Sequence, residues 1–306
     1  MSKRHGVVVG VDGSTDSNQA LYWAAAEAVR RKAPLTVVSA YDVATVPGAT
    51  GYGIGPDAMR EEAAAVVGRA AEHLTKAREE CASQVPEADD ISWETVSGSA
   101  AGALVDRSAT SALVVVGRRG LNAFDRVVLG SVSGVVSARA RGPVAIVPFD
   151  PVAADSDCPG DVIAAVWRVV AAVDFDEHLG RVLDVAFEEA QHAGVPLLLV
   201  HALRSEFIAG PYAMETAWAH ENASDVTARL REELDAWQQK YPDVQWTVET
   251  ARGSIVDVLA RRLSRHDLAV IGGRPHAPIL GRIFRSDADR LGRDVECPII
   301  VAHEQR

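Results

Sequence analysis

The sequence predicts an α/β protein made of two repeated three-layer α/β/α domains, each with a five-stranded, mostly parallel sheet. Three observations predict it. Short β-branched runs alternate with segments of helical periodicity along the chain. The order of those segments occurs twice, and Gly98 with Gly253, Leu104 with Leu259, and Gly117 with Gly272 share one offset of 155 residues. The length of 306 residues fits two domains of about 150.

Gly6 to Val11 is a β-branched run ending in Asp12-Gly13-Ser14, a strand entering a turn. Residues 17–31 follow, with Ala20, Leu21, Ala24 and Ala28 spaced for one buried helical face. Leu35 to Ala40 is a second strand, Pro47 to Pro56 a Gly/Pro-rich loop, and an alanine-rich helix runs from Asp57 to Gln84. Ile91 to Val96 makes a third strand, Ala100 to Ser108 a short helix, and Leu113 to Val116 a fourth strand. Ser131 to Arg139 and Val144 to Val147 close the half as a helix and a strand.

The second half repeats this order. Arg168 to Val173, ending in Asp174, is a strand; Leu179 to Ala193 is helical; Pro196 to His201 is a strand. A long helix spans Met214 to Gln239, then Val244 to Thr250 is extended, Gly253 to Leu263 helical, and Leu268 to Ile271 and Ile299 to Ala302 are strands. The fragment Asp150 to Gly160 is rich in Pro, Asp, Ala and Ser and reads as a linker. The expected division is 1–150, a linker over 151–165, and 166–306. One large mixed sheet is the alternative, and the repeat weighs against it.

A net charge of -11 disfavours duplex DNA or an anionic membrane as partner, because tracking phosphates needs concentrated Lys and Arg. Cys81, Cys158 and Cys297 are few, distant and odd in number, so neither a disulfide framework nor a metal-ligand cluster is expected. The opening Met1-Ser2-Lys3-Arg4-His5 leads into a valine run broken by Gly10 and Asp12. That pattern is neither a signal peptide nor a membrane span, and the expected location is cytoplasmic.

In an open parallel sheet, ligands bind beyond the carboxyl ends of the strands. Asp12 and Gly117 both stand there. Gly117-Arg118-Arg119-Gly120, a nine-residue gap and Gly130-Ser131 combine close backbone approach with a helix start whose N–H groups can face an anion. Ser133 in the same first turn adds a donor, and Arg118, Arg119 and Arg126 make the loop positive. A purely structural turn-and-cap role remains the alternative. No Gly-x-x-x-x-Gly-Lys-Ser/Thr segment is present, and Gly10 to Ser14 lacks the dinucleotide fingerprint.

On Val7-Val8-Val9-Gly10-Val11-Asp12-Gly13-Ser14, Gly98 with Leu104, and Val114 to Gly117 followed by Gly120 and Gly130-Ser131, the chain resembles the universal stress protein family in its tandem form. The resemblance covers nearly the whole chain. It implies a strand order of 3-2-1-4-5 and ATP in the crevice, together with Mg. Asp12 would face the ribose, and backbone around Ser39 and Ala40 would read adenine. Gly117, Arg118, Gly120, Gly130, Ser131, Val132 and Ser133 would carry ribose and phosphate contacts, with Gly13 and Ser14 near the phosphates and the divalent ion. It also implies that Ala145-Ile146-Val147 pairs with Ile299-Ile300-Val301 within the chain, and that two chains form a homodimer.

The second half departs from this pattern. Asp174 matches Asp12, but Phe175-Asp176 replaces Gly13-Ser14, Pro275 replaces Gly120, and Arg285 replaces Gly130; Ser286 alone matches Ser131. Proline removes a donor and Asp176 repels phosphate, while Asp287 and Asp289 add negative charge. The nucleotide is therefore expected mainly in the first half. No catalytic constellation is evident, since no His stands beside Asp12 in triad or metal spacing. Trp23 is expected against the sheet, and Trp93 and Trp246 in core or sheet-face packing. Three functions stay open: an ATP-binding stress or regulatory protein read by an unidentified partner, a slow Mg-dependent ATP hydrolase, and a structural assembly module with a vestigial site.

Overall fold

Strands form where β-branched residues are buried on both faces of a sheet. Val7, Val8 and Val9 alternate between two core layers, with Val7 and Val9 on one side and Val8 on the other. A computed structural model describes residues 5–42, 55–120, 129–156, 158–159, 164–203, 223–273, 291 and 295–303. The first half contains β1 (His5–Gly10), α1 (Thr15–Arg31), β2 (Leu35–Tyr41), α2 (Pro56–Glu80), β3 (Ile91–Ser97), α3 (Ala100–Ser108), β4 (Ser111–Gly117), α4 (Ser131–Arg139) and β5 (Val144–Val147). A single turn, α5 (Pro151–Ala154), follows. The second half contains β6 (Arg168–Ala172), α6 (Leu179–Ala193), β7 (Leu197–Leu203), α7 (Ala223–Lys240), β8 (Trp246–Arg252), α8 (Ile255–Arg262), β9 (Asp267–Gly272) and β10 (Ile299–Ala302).

Each half is a three-layer α/β/α repeat with its strands in the order 3-2-1-4-5. The described strands run β3-β2-β1-β4-β5-β10-β9-β6-β7-β8. Within each half every pairing is parallel, as Val7↔Leu35 and Val7↔Leu113 illustrate. The halves meet through an antiparallel pair, Ile299↔Ile146, Ile300↔Ala145 and Val301↔Val144. The final strands thus pair as expected. They also fuse the repeats into one mixed ten-stranded sheet, the arrangement that the repeat had weighed against. All four residues of β5 and of β10 are buried, so pairing hides two otherwise open edges.

The most buried helix is α1. Ser14 caps its start by accepting from Ser17 N at 3.2 Å. Lys32, with φ of 50°, closes its end by donating to Ala28 and Val29 carbonyls. Leu21, Trp23, Ala24, Ala25 and Ala26 are fully buried, because the sheet covers one face and α6 another. Burying each large apolar side chain contributes about 1.5–3 kcal/mol. The same helix also buries charge. Glu27 accepts from Arg30 and from Arg31 Nε at 2.6 Å, and Arg31 crosses to Glu189 on α6. Glu27 and Glu189 occupy equivalent places, each 15 residues beyond the strand-end Asp12 or Asp174, and they share the Arg31 guanidinium. Burial alone would raise Glu27, but Arg31 and Arg30 outweigh it and hold its carboxyl down at about 2. Burial pushes Glu189 up to about 8, with Arg31 opposing and Glu27 and Glu188 adding to the rise.

Several expectations change. Cys81, the C-cap of α2, and Cys158 in the linker are joined as a disulfide with Cα atoms 5.9 Å apart. Their separation of 77 residues hid that proximity, whereas Cys297 is buried and free, its thiol pushed up to about 12 by burial. Trp23 is in the core, but Trp93 is 37% exposed, since β3 is the outermost strand of its half. Trp246, on the opposite edge strand, is partly buried and packs against the core, as expected of a sheet-face residue. The helix expected from Gly253 begins at Ile255, because Gly253 holds φ of +124° and Ser254 is the N-cap. The segment from Met214 to residue 222 lies outside the described residues, as does most of the loop from Pro47. Among the described residues no helix is long and apolar enough to cross a membrane.

Candidate functional site

The carboxyl end of β1 delivers the backbone into a turn that aims one carboxylate. Gly13 takes φ of +83°, a left-handed conformation that side chains resist. Ser14 N donates to Asp12 Oδ1 at 3.0 Å, and Asp12 N donates to Ser17 Oγ at 3.4 Å. Ser17 Oγ in turn donates to the Ser14 carbonyl at 2.9 Å. The Asp12 side chain is therefore held over the end of the sheet by the same residues that start α1.

The second wall comes from the end of β4. A Cβ on Gly117 would stand 2.8 Å from the Asp16 backbone, so only glycine lets β4 pass the start of α1. A Cβ on Gly120 would come within 2.5 Å of Asp12 Oδ2. Neither Gly120 nor Gly130 has a positive φ, so the dihedral freedom expected of them is not used. Close approach is what Gly120 supplies. Gly130 N donates to the Arg118 carbonyl at 2.9 Å, joining the start of α4 to the end of β4. Gly130 then N-caps α4 without any side-chain hydrogen bond, which leaves first-turn N–H groups of Ser131 and Val132 for another acceptor.

Between these walls lies a cavity of about 320 Å³, within the range of small-molecule sites. Val38, Ala40, Ala100, Leu104 and Val116 form an apolar slot, while Asp12, Arg119, Gly120, Gly130 and Ser131 line the polar end. Strand alternation explains why Ala40 faces the cavity and Ser39, though buried, does not line it. Ser133 lines it, but its hydroxyl donates to the Gly117 carbonyl at 2.6 Å and ties α4 to β4. Gly13 and Ser14 shape the turn without lining the cavity. Arg118 is turned away, with its guanidinium donating to the Val295 carbonyl at 3.1 Å in the other half. Its neighbour Arg119 faces the site and donates its backbone N–H to Asp16 Oδ1 at 3.1 Å. Burial raises the Asp16 carboxyl, against the Arg119 N–H and the charges of Arg118 and Arg119. Val38, Ala100, Val116 and Ser17 were not singled out from the sequence; β-strand parity and the start of α3 were the available signals. Arg126 lies outside the described residues.

The sequence profile of the Universal stress protein family matches residues 3–148 and again 167–303. This chain belongs to the universal stress protein family. A universal stress protein of Mycobacterium tuberculosis is 30% identical over 99% of this chain and 98% of its own length. One from Mycolicibacterium smegmatis is 29% identical over 97% and 96%. The fold also matches the crystal structure of a universal stress protein from Archaeoglobus fulgidus, with a TM-score of 0.64 at 18% identity, covering 97% of this chain and 98% of that one.

This family member carries a second cavity, of about 240 Å³, at the equivalent strand ends of the other half. Asp174, Asp176 and His178 line it beside Val173, Leu259 and Ile271. Phe175 N donates to Asp174 Oδ1, and His178 N to Asp176 Oδ1, each at 2.9 Å. Gly272 keeps the place of Gly117, although its Cβ would meet only side chains, His178 at 3.4 Å and Val182 at 3.5 Å, in ordinary contact. Pro275, Arg285, Ser286, Asp287 and Asp289 fall outside the described residues.

Proposed function

We propose that this universal stress protein binds ATP in the first-half cavity and works as a stress-response or regulatory protein whose conformation or partner contacts follow the bound nucleotide. One observation carries the reading. A helix start without a side-chain cap, at Gly130-Ser131, faces Arg119 and the close approach of Gly120 to Asp12, in the same cavity. Uncapped N–H groups and a guanidinium favour an anion. Asp12 favours ribose hydroxyls, and the slot at Val38, Ala40 and Leu104 suits a flat base.

The residues present fit this ligand. The polyphosphate would lie along Ser131, Val132 and Arg119, and Mg would neutralise it from the solvent side, keeping most of its waters. The chain itself binds and orients; nothing in this reading requires bond cleavage.

Equilibrium dialysis of the full chain against Mg-ATP tests it. Saturable binding is expected, weakened by about tenfold in Arg119→Ala, equivalent to about 1.4 kcal/mol. Absence of binding, or binding indifferent to Arg119→Ala, contradicts it.

A further inference from the structure

We propose that Cys81 and Cys158 form a reversible redox latch, closed by a peroxide and opened by a dithiol, that clamps the linker between the halves onto the end of α2. Cys81 is the C-cap of α2 and only 8% exposed, whereas Cys158 stands in the linker and is half-buried. Their Cα atoms are 5.9 Å apart, within the span of a disulfide. Cys158 Sγ also lies 3.7 Å from the Glu80 carbonyl, against the last turn of α2.

The surrounding contacts make this bond an addition to the fold and not its foundation. Two hydrogen bonds of 2.6 Å join Gln19 to the Asp150 backbone, tying the start of the linker to α1. Arg265 holds the Asp150 carboxylate at 2.6 Å, and Ala153 is fully buried. Further along, Arg30 donates to the Ala164 carbonyl at 2.9 Å. Opening the bond therefore releases Cys158 from α2 while both ends of the linker stay anchored, and two cores of this size need no staple. The chemistry also selects this pair. Cys297 is buried with its thiol pushed up to about 12, so it supplies almost no thiolate near neutral pH. Cys81 ends a helix, where carbonyl dipoles disfavour a thiolate, so Cys158 is the one that meets the oxidant.

In closing, the Cys158 thiolate attacks one oxygen of hydrogen peroxide; the O–O bond breaks and hydroxide leaves, giving a sulfenic acid. The Cys81 thiolate attacks that sulfur, the S–O bond breaks, and a second hydroxide leaves. The hydroxides take up the two thiol protons, so two thiols and one peroxide become one disulfide and two waters. In opening, one thiolate of a dithiol attacks the Cys158 sulfur and releases Cys81. Its second thiolate then attacks the first and releases Cys158, and each freed cysteine takes a proton from the dithiol.

Thiol counting on the full chain tests the latch. After dithiothreitol and its removal, all three cysteines should count as thiols in urea. One equivalent of hydrogen peroxide, added to the native chain, should leave only Cys297, with Cys81 joined to Cys158 in non-reducing peptide maps. Dithiothreitol on the native chain should restore the other two. Endoproteinase Asp-N should cut before the exposed Asp155 about fivefold faster in the reduced chain than in the oxidised one. Cys158→Ser should be cut at the reduced rate with or without peroxide; the two forms of the unsubstituted chain decide the matter if that variant misfolds. Three thiols surviving peroxide, a bond to Cys297 or between two chains, a bond that dithiothreitol opens only in urea, or equal cutting of the two forms would each overturn the proposal.

Discussion

The two cavities of this chain sit on equivalent strand ends, and their described linings differ: Arg119 stands with Asp12 in one, Asp174 with Asp176 and His178 in the other. Both follow a strand-end aspartate, both face a glycine at the end of the fourth strand of their half, and both keep an apolar slot behind a leucine of the short helix. In the first, Gly13-Ser14 turns tightly into α1, and Arg119 with the uncapped α4 start completes an anion-friendly end. In the second, Asp176 and His178 occupy the turn into α6. The sheet decides where a ligand can sit, and the few residues after each strand decide which ligand. The contact between the halves is also unequal: the equivalent Glu27 and Glu189 both pair with Arg31, and Glu27 pairs with Arg30 as well.

Substituting matched glycines should break the comparison most strongly. Gly120→Val forces side-chain atoms into Asp12, so ATP affinity should fall by about 100-fold, or about 2.7 kcal/mol. Gly272→Val, in the other half, should leave ATP affinity within about twofold, as read by calorimetric titration of both variants. Larger in energy, but on stability and not on the cavities, is Arg31→Met, which strands two buried carboxylates; urea unfolding should register a loss of about 3–5 kcal/mol.

A smaller effect concerns pH. Glu189 has its folded value raised from 4.5 to about 8, so the native state keeps a proton that the unfolded chain releases. Its contribution is complete below about 4.5 and is lost as pH rises through about 8, with a slope of at most about 1.4 kcal/mol per pH unit. Glu189→Gln should flatten the stability profile across that window. Glu27 acts oppositely, its contribution present above 4.5 and lost as pH falls through about 2. The smallest change is expected from Ser133→Ala, which removes the bond to the Gly117 carbonyl; thermal unfolding should show a loss of about 1 kcal/mol with ATP affinity nearly unchanged.

Most of the fold was legible because burial leaves a periodic signature. Val7 to Val9 and Val114 to Val116 show it for strands, and the repeated offset from Gly98 to Gly253 shows it for the halves. The strand-end position of Asp12 and the Gly120 to Gly130 spacing pointed to the first cavity. What escaped depends on direction or on distance in sequence. Adjacent Arg118 and Arg119 look alike in a sequence, yet one reaches Val295 and the other lines the cavity. Ser133 reads as a phosphate donor until its hydroxyl is seen on Gly117. The Cys81–Cys158 bond and the Arg31 bridge to Glu189 join residues 77 and 158 positions apart, where no local pattern survives. The cavity in the second half was likewise hidden, because missing phosphate glycines read as a missing site.

Counting nucleotide on the purified chain tests the central claim most directly. Saturation with Mg-ATP, removal of free ligand and acid extraction should yield about one ATP per chain, and none in Gly120→Val. Two ATP per chain, or one that survives Gly120→Val, would contradict the assignment of ATP to the first half alone.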